Sequence, residues 1–441
     1  MVKHGVKKVD TAIVELWGQT VGAVSWLVDK DYGVFEFEPA FLKLGLDISP
    51  VLMPLELATK GKRIFSFPEL NNATYLGLPG LLADALPDKF GNRIIDAWLA
   101  RQGRSAEEFS PVERLCYTGK RAMGALEFLP ATIEKYDKSE PVEVAELVSL
   151  SQQIMQQRES LASSITESDK KRADAILDIL RVGTSAGGAR PKAVIAMNAA
   201  GKVVSGQAQA PAGYDYWILK FDGVTDLELG EPKGFGRIEY AYYLMALDAG
   251  IAMNESRLLE ENGRAHFMTK RFDRVDGEKL HMQSLCGIAH YDFNQAGAYS
   301  YEQAFMVMRR LRLSKADAEQ QYRRMLFNVI ARNQDDHTKN IGFLMDKQGT
   351  WHLSPAYDVV YSHNPAGLWT NKHQMTINGK RDHFTQQDLL AVGESISLSR
   401  PEKILEEIMN VVKRWPQYGE RAGLSESRIE EIRAGHRLVI A

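Results

Sequence analysis

An ordered run of polar residues between two apolar segments constrains this chain more than any other feature. The run NQDDHTKN, from Asn333 to Asn340, follows ADAEQQYRRMLFNVIARN, which has helical periodicity and which we predict to end at Asn333. IGFLM and TWHL then have the pattern of two strands joined by a DKQG turn, and Asp358 of SPAYD comes just after them. Such a hairpin would fold Asp358 back over Asn340. We therefore expect Asp335, Asn340 and Asp358 to converge.

That order of side chains is the one that kinase-type phosphoryl transfer requires. One Asp accepts or orients the attacking hydroxyl, while an Asn five residues later and an Asp after the next hairpin bind Mg²⁺. Oxygen ligands from one or two carboxylates, together with phosphate, suit Mg²⁺. Two other interpretations stay open. One is a polar helix cap and turn without chemistry, and the other is a metal hydrolase built on His337, which the absence of a second His at ligand spacing disfavours.

Composition and charge constrain the class of protein to which this chain can belong. A length of 441 residues predicts two or three domains, and 44% hydrophobic with 25% charged residues indicates a globular chain. The net charge of −3 gives no global attraction to nucleic acid or to an anionic membrane. No stretch approaches the ~20 apolar residues of a membrane span, and no signal peptide is evident. Cys116 and Cys286 lack disulfide or metal spacing, so we expect a cytoplasmic enzyme.

Residues before the acidic run offer donors for a nucleotide. Lys220 lies inside the predicted strand Tyr216 to Asp222, and Glu239 on the next helix could hold it as kinases pair a strand Lys with a helix Glu. A Lys that merely reaches solvent from a strand edge explains the pattern as well. GTSAGGARPK is neither a Walker A loop nor G-x-G-x-x-G, but its glycines let backbone N–H groups approach phosphate. A flexible turn would explain that stretch equally well.

Local patterns divide the chain into four parts. We predict a β-rich N-terminal subdomain over 1–130, a helical connector over 131–182, a nucleotide-binding part over 183–280 and an α-helical catalytic lobe over 281–441. TAIVELWGQTVGAVSWL predicts two strands around a Gly-Gln turn. RIEYAYYLMALDAG predicts a helix capped by Gly250, and the Asn262-Gly263 pair predicts a hairpin.

Taken together, these motifs resemble the HipA-like serine/threonine kinases, the toxin halves of bacterial toxin–antitoxin pairs. The resemblance covers nearly the whole chain. LPGLLADALPDKFGNRII and GKRAMGALEFLP look like segments of that family's N-terminal region. GTSAGGARPK, WILKF, IEYAYYLMALDAG, TKRFDR, NQDDHTKN and SPAYDVV then appear in family order. Several motifs in one order over most of the chain are far more specific than any one of them.

The resemblance implies a role for each matching residue. Asp335 would be the catalytic acid/base, and Asn340 with Asp358 would bind Mg²⁺ beside ATP. Ser185, or Thr184 next to it, falls where family members carry an autophosphorylated Ser, whose phosphate would expel the glycine loop by charge repulsion. The residues implied to contact the nucleotide are Gly187, Gly188, Ala189, Arg190, Lys192, Lys220, Lys270, Arg271, Phe272, His337 and Tyr357.

The resemblance also implies a fold and partners. The expected fold is α+β, a bilobal protein-kinase-like fold of the HipA type with a β-rich N-terminal lobe and a mostly α-helical C-terminal lobe. The acceptor would be a Ser or Thr of a protein such as an aminoacyl-tRNA synthetase. A small HipB-like antitoxin would contact DNA, so this chain would reach DNA only through that partner.

One segment departs from the family pattern. Family members often carry a Pro-Gln-Glu-Asp-type segment after the adenine strand, where this chain has LHMQSLCGIAHYD. The adenine pocket or the substrate edge is therefore expected to differ. A small-molecule kinase, or a non-catalytic co-repressor subunit acting with the antitoxin, remains an alternative.

Overall fold

The computed structural model describes residues 8–101, 103–132, 141–156, 190–224 and 234–440. The chain divides into two compact units. The first unit comprises Met1–Leu46, Leu55–Gly236 and Arg257–His281, and the second comprises Asp47–Pro54, Arg237–Ser256 and Met282–Ala441. The four-part division expected from the sequence stays a prediction. Among the residues described, no helix has the length and apolar character needed to cross a membrane.

An antiparallel sheet of five strands opens the first unit. Its strands, in the order β4-β3-β2-β1-β5, are β1 (Thr11–Leu16), β2 (Gln19–Leu27), β3 (Tyr32–Phe37), β4 (Ile64–Phe65) and β5 (Leu126–Leu129). Every second residue of β1 is buried, so Ala12, Val14 and Leu16 form its core face. The first turn lies at Trp17-Gly18, one residue before the predicted Gly-Gln turn. Both residues have the positive φ that a two-residue hairpin requires, 51° and 74°.

A second antiparallel sheet of the first unit carries Lys220. Its strands, in the order β7-β6-β8-β10-β9, are β6 (Lys192–Asn198), β7 (Val203–Ser205), β8 (Tyr214–Lys220), β9 (Ser256–Glu261) and β10 (Arg264–Lys270). Asn262 and Gly263, with φ of 46° and 76°, form the turn between β9 and β10, so the predicted hairpin is confirmed. A small ribbon follows, formed by β11 (Arg274–Val275) and β12 (Glu278–Lys279).

The first unit also contains helices, of which three, at Lys89–Arg101, Pro111–Thr118 and Val144–Gln156, contribute side chains to a buried cluster with that second sheet. The described ones are α1 (Pro39–Leu42), α2 (Leu55–Thr59), α3 (Asn72–Tyr75), α4 (Gly80–Ala83), α5 (Lys89–Arg101), α6 (Pro111–Thr118) and α7 (Val144–Gln156). Helix α7 falls in the predicted connector, yet its Leu147 and Leu150 lie in one buried cluster with Ile195 and Trp217 of the sheet. Burying each such side chain contributes about 1.5–3 kcal/mol. The described part of the connector is therefore core; its predicted second helix lies outside the described residues.

The second unit combines a three-stranded sheet with helices. The strands β13 (His281–Ser284), β14 (Gly342–Met345) and β15 (Trp351–Leu353) lie in that order. The described helices from Phe235 onward are α8 (Phe235–Asp248), α9 (Leu285–Ala289), α10 (Tyr301–Arg310), α11 (Lys315–Ile330), α12 (Gln386–Ser395), α13 (Pro401–Val412), α14 (Trp415–Arg421) and α15 (Glu426–Gly435). Gly250, with φ of 70°, ends the turn after α8, which confirms the predicted cap.

Helix α11 delivers the chain to the acidic run. Ser314 caps its start in a capping box with Asp317. The helix ends at Ile330, three residues before the predicted end, because Arg332 adopts a left-handed φ of 58°. Asn333 then pairs with Ser362 in a parallel bridge, so the next residues leave in an extended path toward the β14–β15 hairpin.

Candidate active site

The loop between α11 and β14 places Asp335 at its centre. The Asn340 Nδ2 donates a hydrogen bond of 2.8 Å to the Asp335 carbonyl oxygen, which closes the loop over the five residues noted in the sequence. The Asp335 carboxylate retains 40% of its side-chain exposure. Its Oδ1 accepts a 2.6 Å hydrogen bond from Trp369 Nε1 and lies 3.8 Å from His337 Nε2.

The pKa of Asp335 reflects its desolvation and the charges of its neighbours. Desolvation raises the pKa of Asp335, while His337 and the Trp369 hydrogen bond lower it, and the charges of Asp358 and Asp336 raise it again. Asp358, which follows the β14–β15 hairpin, is thus one of the charges that act on the Asp335 carboxylate. A raised pKa makes the Asp335 carboxylate a better proton acceptor.

The neighbouring acid, Asp336, has a structural role. It is buried and accepts hydrogen bonds from the Tyr301 hydroxyl at 2.9 Å and the Gln374 backbone N–H at 2.8 Å. His373 Nδ1 lies 2.8 Å from its Oδ2. Burial acts to raise the pKa of Asp336, but His373 and these hydrogen bonds hold it below the ordinary value. Asp336 therefore ties residues 373 and 374 to the loop that carries Asp335.

The side chains of Asn340 and Asp358 fit an oxygen-ligand metal site. Asn340 ends the short 3₁₀ helix Thr338–Asn340 and uses its amide nitrogen to bond Asp335, which leaves its amide oxygen as the ligand atom. Asp358 has a left-handed φ of 53°, and its carbonyl oxygen accepts from Asn333 Nδ2 at 3.5 Å. Among the described residues, no group of three or more His, Cys, Asp or Glu side chains is arranged to hold a metal.

The segment that follows the β14–β15 hairpin and carries Asp358 packs against the loop. The Tyr357 hydroxyl donates a 2.6 Å hydrogen bond to the Lys339 carbonyl. A Cβ on Gly342 would lie 2.9 Å from Ser354 Oγ and 3.1 Å from Tyr357 Oη, so only Gly fits there. The ring centres of His337 and Phe293 lie 5.3 Å apart, and the Lys339 Nζ lies 4.8 Å from the Phe293 ring centre. This packing fixes the loop from both sides.

In the first unit, Lys220 and Lys192 face each other across the β6–β8 pair. The Lys220 Nζ also lies 5.7 Å from the Phe267 ring centre. Lys192 is almost fully buried, and its Nζ lies 3.4 Å from Asp88 Oδ2. Asp88 is itself anchored, since its Oδ1 accepts a 2.6 Å hydrogen bond from the Gly91 N–H. Two cations therefore lie side by side on this sheet, with one fixed carboxylate beside Lys192.

The residues predicted to line the adenine have partners of their own. Lys270 Nζ lies 2.7 Å from Asp215 Oδ1. Arg271 is buried, forms two hydrogen bonds to Asp273, and donates its backbone N–H to the Tyr216 carbonyl at 2.8 Å. Burial acts to raise the pKa of Asp273, but Arg271 and Arg274 hold it far below the ordinary value. The Arg271 guanidinium and backbone N–H are thus both engaged within the first unit, and its contact with adenine stays a prediction.

Other predicted site residues differ in what the structure describes. The Arg190 guanidinium stacks on Phe235 at 3.8 Å from the ring centre. Thr184, Ser185, Gly187, Gly188 and Ala189 lie outside the described residues. The pairing of Lys220 with Glu239 stays a prediction.

Three residues that contact predicted site residues were not recognised from the sequence. Trp369 gives no local signal, because its contact with Asp335 depends on the loop that brings it back. Asp88 stands in LPDKFGNR, a segment used for the family resemblance without a role for its acid. Asp273 directly follows the predicted adenine segment, and an Asp between two arginines in RFDR was an available signal for an ion network.

Comparisons with known proteins identify the class. Residues 12–129 match the model of the HipA N-terminal domain, and residues 184–416 match that of the HipA-like C-terminal domain. A chain of the solved complex of HipA, HipB and operator DNA from Shewanella oneidensis MR-1 aligns with a TM-score of 0.65 and 17% identity. That alignment covers 96% of this chain and 95% of the other. The fold is therefore α+β and kinase-like, of the HipA type.

Two further proteins match smaller parts of this chain. “Putative kinase Y4mE” of Sinorhizobium fredii is 27% identical over 137 residues, which is 28% of this chain and 32% of that protein. The match thus spans about a third of that relative's length. The kinase CtkA of Helicobacter pylori aligns over 50% of this chain and 84% of its own, with 12% identity and a TM-score of 0.32, which supports no inference. With both domain models matched, the chain belongs to the HipA-like family.

Proposed function

We propose that this protein is an ATP- and Mg²⁺-dependent kinase that transfers the γ-phosphoryl group to a Ser or Thr hydroxyl of a protein. The observation that carries the proposal is the convergence of Asp335, Asn340 and Asp358 on one loop and hairpin. Asn340 bonds the Asp335 backbone, and the Asp358 charge acts on the Asp335 carboxylate. Acid, amide and acid in this order serve phosphoryl transfer in kinases.

Asp335 acts on the acceptor in this proposal. Its carboxylate takes the proton of the acceptor hydroxyl as the hydroxyl oxygen bonds the γ-phosphorus. The bond from that phosphorus to the β,γ-bridging oxygen breaks, and ADP leaves with the electron pair. Because desolvation raises the pKa of Asp335, its proton affinity suits this task. His337 lies beside the same carboxylate and orients it.

Asn340 and Asp358 would hold the metal, which when bound neutralises charge on the phosphates. Carboxylate and amide oxygens are ligands that Mg²⁺ accepts. Asn340 is oriented for this by the bond from its nitrogen to Asp335, which points its oxygen away from the loop backbone.

The first unit would bind the nucleotide. Lys220 and Lys192, opposed on neighbouring strands, supply positive charge for the phosphates. The backbone of Lys270 to Phe272 would contact the adenine, with Arg190 and the glycine loop as further contacts that the resemblance implies.

Regulation and partners follow from the family. Autophosphorylation of Ser185 would place nearly two negative charges beside those of the nucleotide and inactivate the enzyme. A small HipB-like protein would neutralise the kinase and carry the DNA contact, and a synthetase would be a protein target in a cytoplasmic setting. The solved complex from Shewanella supports the partner because it holds HipA with HipB and operator DNA.

Transfer of labelled phosphate tests the proposal. The purified chain is incubated with Mg²⁺ and γ-³²P-ATP, alone and with lysate protein or pooled metabolites. Asp335→Asn is expected to abolish labelling. Asp276→Asn is the matched control, since Asp276 is exposed in the β11–β12 turn and its φ of 50° suits Asn. Equal labelling by the Asp335 variant would refute the assignment, and labelled metabolites without labelled protein would indicate a small-molecule kinase.

A further inference from the structure

Trp369 contacts Asp335, the candidate catalytic acid, from a loop to which the sequence analysis assigned no role. Leu368, at the tip, is fully exposed, whereas the next residue turns inward and is half-buried. The Trp369 Nε1 donates to Asp335 Oδ1 at 2.6 Å. Indole nitrogen can only donate, so this contact is made to an acceptor lone pair of the acid.

The loop that carries Trp369 is held shut by its own hydrogen bonds. The Asn364 backbone N–H donates to the Thr370 carbonyl at 3.2 Å, and the Gly367 N–H donates to the Asn364 carbonyl at 3.0 Å. The Asn364 side chain also accepts from the Ala366 N–H at 3.2 Å. These bonds fix both ends of the loop, so the indole position does not depend on the exposed tip.

Asp336 connects this loop to the catalytic one. The Gln374 backbone N–H donates to Asp336 Oδ1 at 2.8 Å, and the Gln374 Nε2 donates to the Trp369 carbonyl at 2.5 Å. Asp336 directly precedes His337 and follows Asp335 in the chain. The buried Asp336 therefore connects the loop that carries the Trp369 indole to the loop that carries the Asp335 carboxylate.

The geometry distinguishes the two oxygens of Asp335. Trp369 Nε1 and His337 Nε2 both face Oδ1, at 2.6 Å and 3.8 Å. Oδ2 takes part in neither contact and is the oxygen left for an acceptor hydroxyl. The N–H also favours the ionised acid and lowers the pKa of Asp335, against the desolvation that raises it.

We propose that Trp369 is a positioning residue that fixes the Asp335 carboxylate with Oδ2 directed at the acceptor hydroxyl. The proposal rests on the proposed kinase function. Trp369 touches neither acceptor nor nucleotide in this role; it acts through the orientation of the carboxylate. A rotated carboxylate would present the wrong lone pair, and misplacement of a reacting group by about 1 Å can cost about a hundredfold in rate.

Trp369→Phe keeps an aromatic ring and removes the N–H donor. We expect kcat to fall about tenfold or more with the KM for ATP unchanged. The split between a lowered kcat and an unchanged KM is the readout that a merely structural role would not give. Leu368→Ala, in the same loop but fully exposed, is the matched control and should retain wild-type kinetics. A Trp369→Phe enzyme with wild-type kcat would overturn the proposal.

A second measurement does not depend on activity or on a folded Trp369 variant. Protein labelled with 5-fluorotryptophan is compared by ¹⁹F spectra at one neutral pH between wild type, Asp335→Ala and Asp276→Asn. We expect one signal to move when the Asp335 acceptor is removed and none to move in Asp276→Asn. Identical spectra for all three proteins would overturn the contact. An inactive wild type would refute the kinase proposal instead, while these spectra would still report whether the contact exists.

Discussion

Replacing Asp336 by Asn should destabilise the second unit far more than replacing its neighbour Asp335, although each change removes one negative charge. Asp336 is 3% exposed and lies within hydrogen-bond distance of Tyr301, His373 and Gln374. Asn at this site has one acceptor oxygen for three partners. Removing one member of a buried charged network costs about 3–5 kcal/mol.

Asp335→Asn should behave differently because the Asp335 side chain is 40% exposed. The Asn oxygen can still accept from Trp369 Nε1, so the change only weakens one charge-assisted hydrogen bond, by about 1 kcal/mol. The raised pKa of Asp335 means that the native state disfavours its charged form. A neutral Asn removes this unfavourable contribution, which offsets part of the hydrogen-bond energy. The free energy of unfolding should therefore change by less than about 1 kcal/mol.

Urea and thermal unfolding of both variants measure the difference. At about 2–4 °C per kcal/mol, the Asp336 variant should lose roughly 6–20 °C in Tm, while the Asp335 variant stays near the wild type. The pKa of Asp336 is lowered, so its stabilisation is present above the unfolded value of about 3.9 and is lost as pH falls through the folded value. The difference in Tm between the two variants should therefore become smaller below about pH 4. Equal Tm values for the two variants at pH 7 would refute the separate roles.

Three more predictions concern the residues around the site. Asp88→Asn should lower the free energy of unfolding by about 3–5 kcal/mol by leaving the buried Lys192 ammonium uncompensated, and Asp88→Asn with Lys192→Met should recover most of it in urea titrations. Asp273→Asn should cost a similar amount, about 3–5 kcal/mol by thermal unfolding, because two arginines lose one buried carboxylate. Gly342→Ala should slow phosphate transfer and cost about 1–3 kcal/mol, since the added methyl displaces Tyr357, and wild-type kinetics would contradict this.

Local patterns predicted the elements that carry the site. The period of ADAEQQYRRMLFNVIARN, the Asn262-Gly263 turn and the alternation around DKQG depend on near neighbours, and each appears in the structure. The differences between prediction and structure also concern local features, namely the end of one helix and the position of one turn. Helix α11 ended early because Arg332 takes a left-handed conformation, and the first turn moved to Trp17-Gly18.

Contacts between distant segments could not be predicted in this way. Asp335 and Asp336 are adjacent and identical in type, and only their partners from α10 and from residues 369–374 distinguish the partly exposed acid from the buried one. Lys192 could be placed near a phosphate loop by order alone, but its pairing with Asp88 depends on how α5 packs beside the sheet. Trp369 belongs to the same class of long-range contact.

Metal binding at the loop tests the central proposal most directly. Mn²⁺, whose free form is measured by electron paramagnetic resonance, is titrated into the chain with a non-hydrolysable ATP analogue. We predict saturable binding by the wild type and by Asp276→Asn, with at least about tenfold weaker binding by Asp358→Asn and by Asn340→Ala. Equal Mn²⁺ affinity in all four proteins would contradict a phosphoryl-transfer site at these residues.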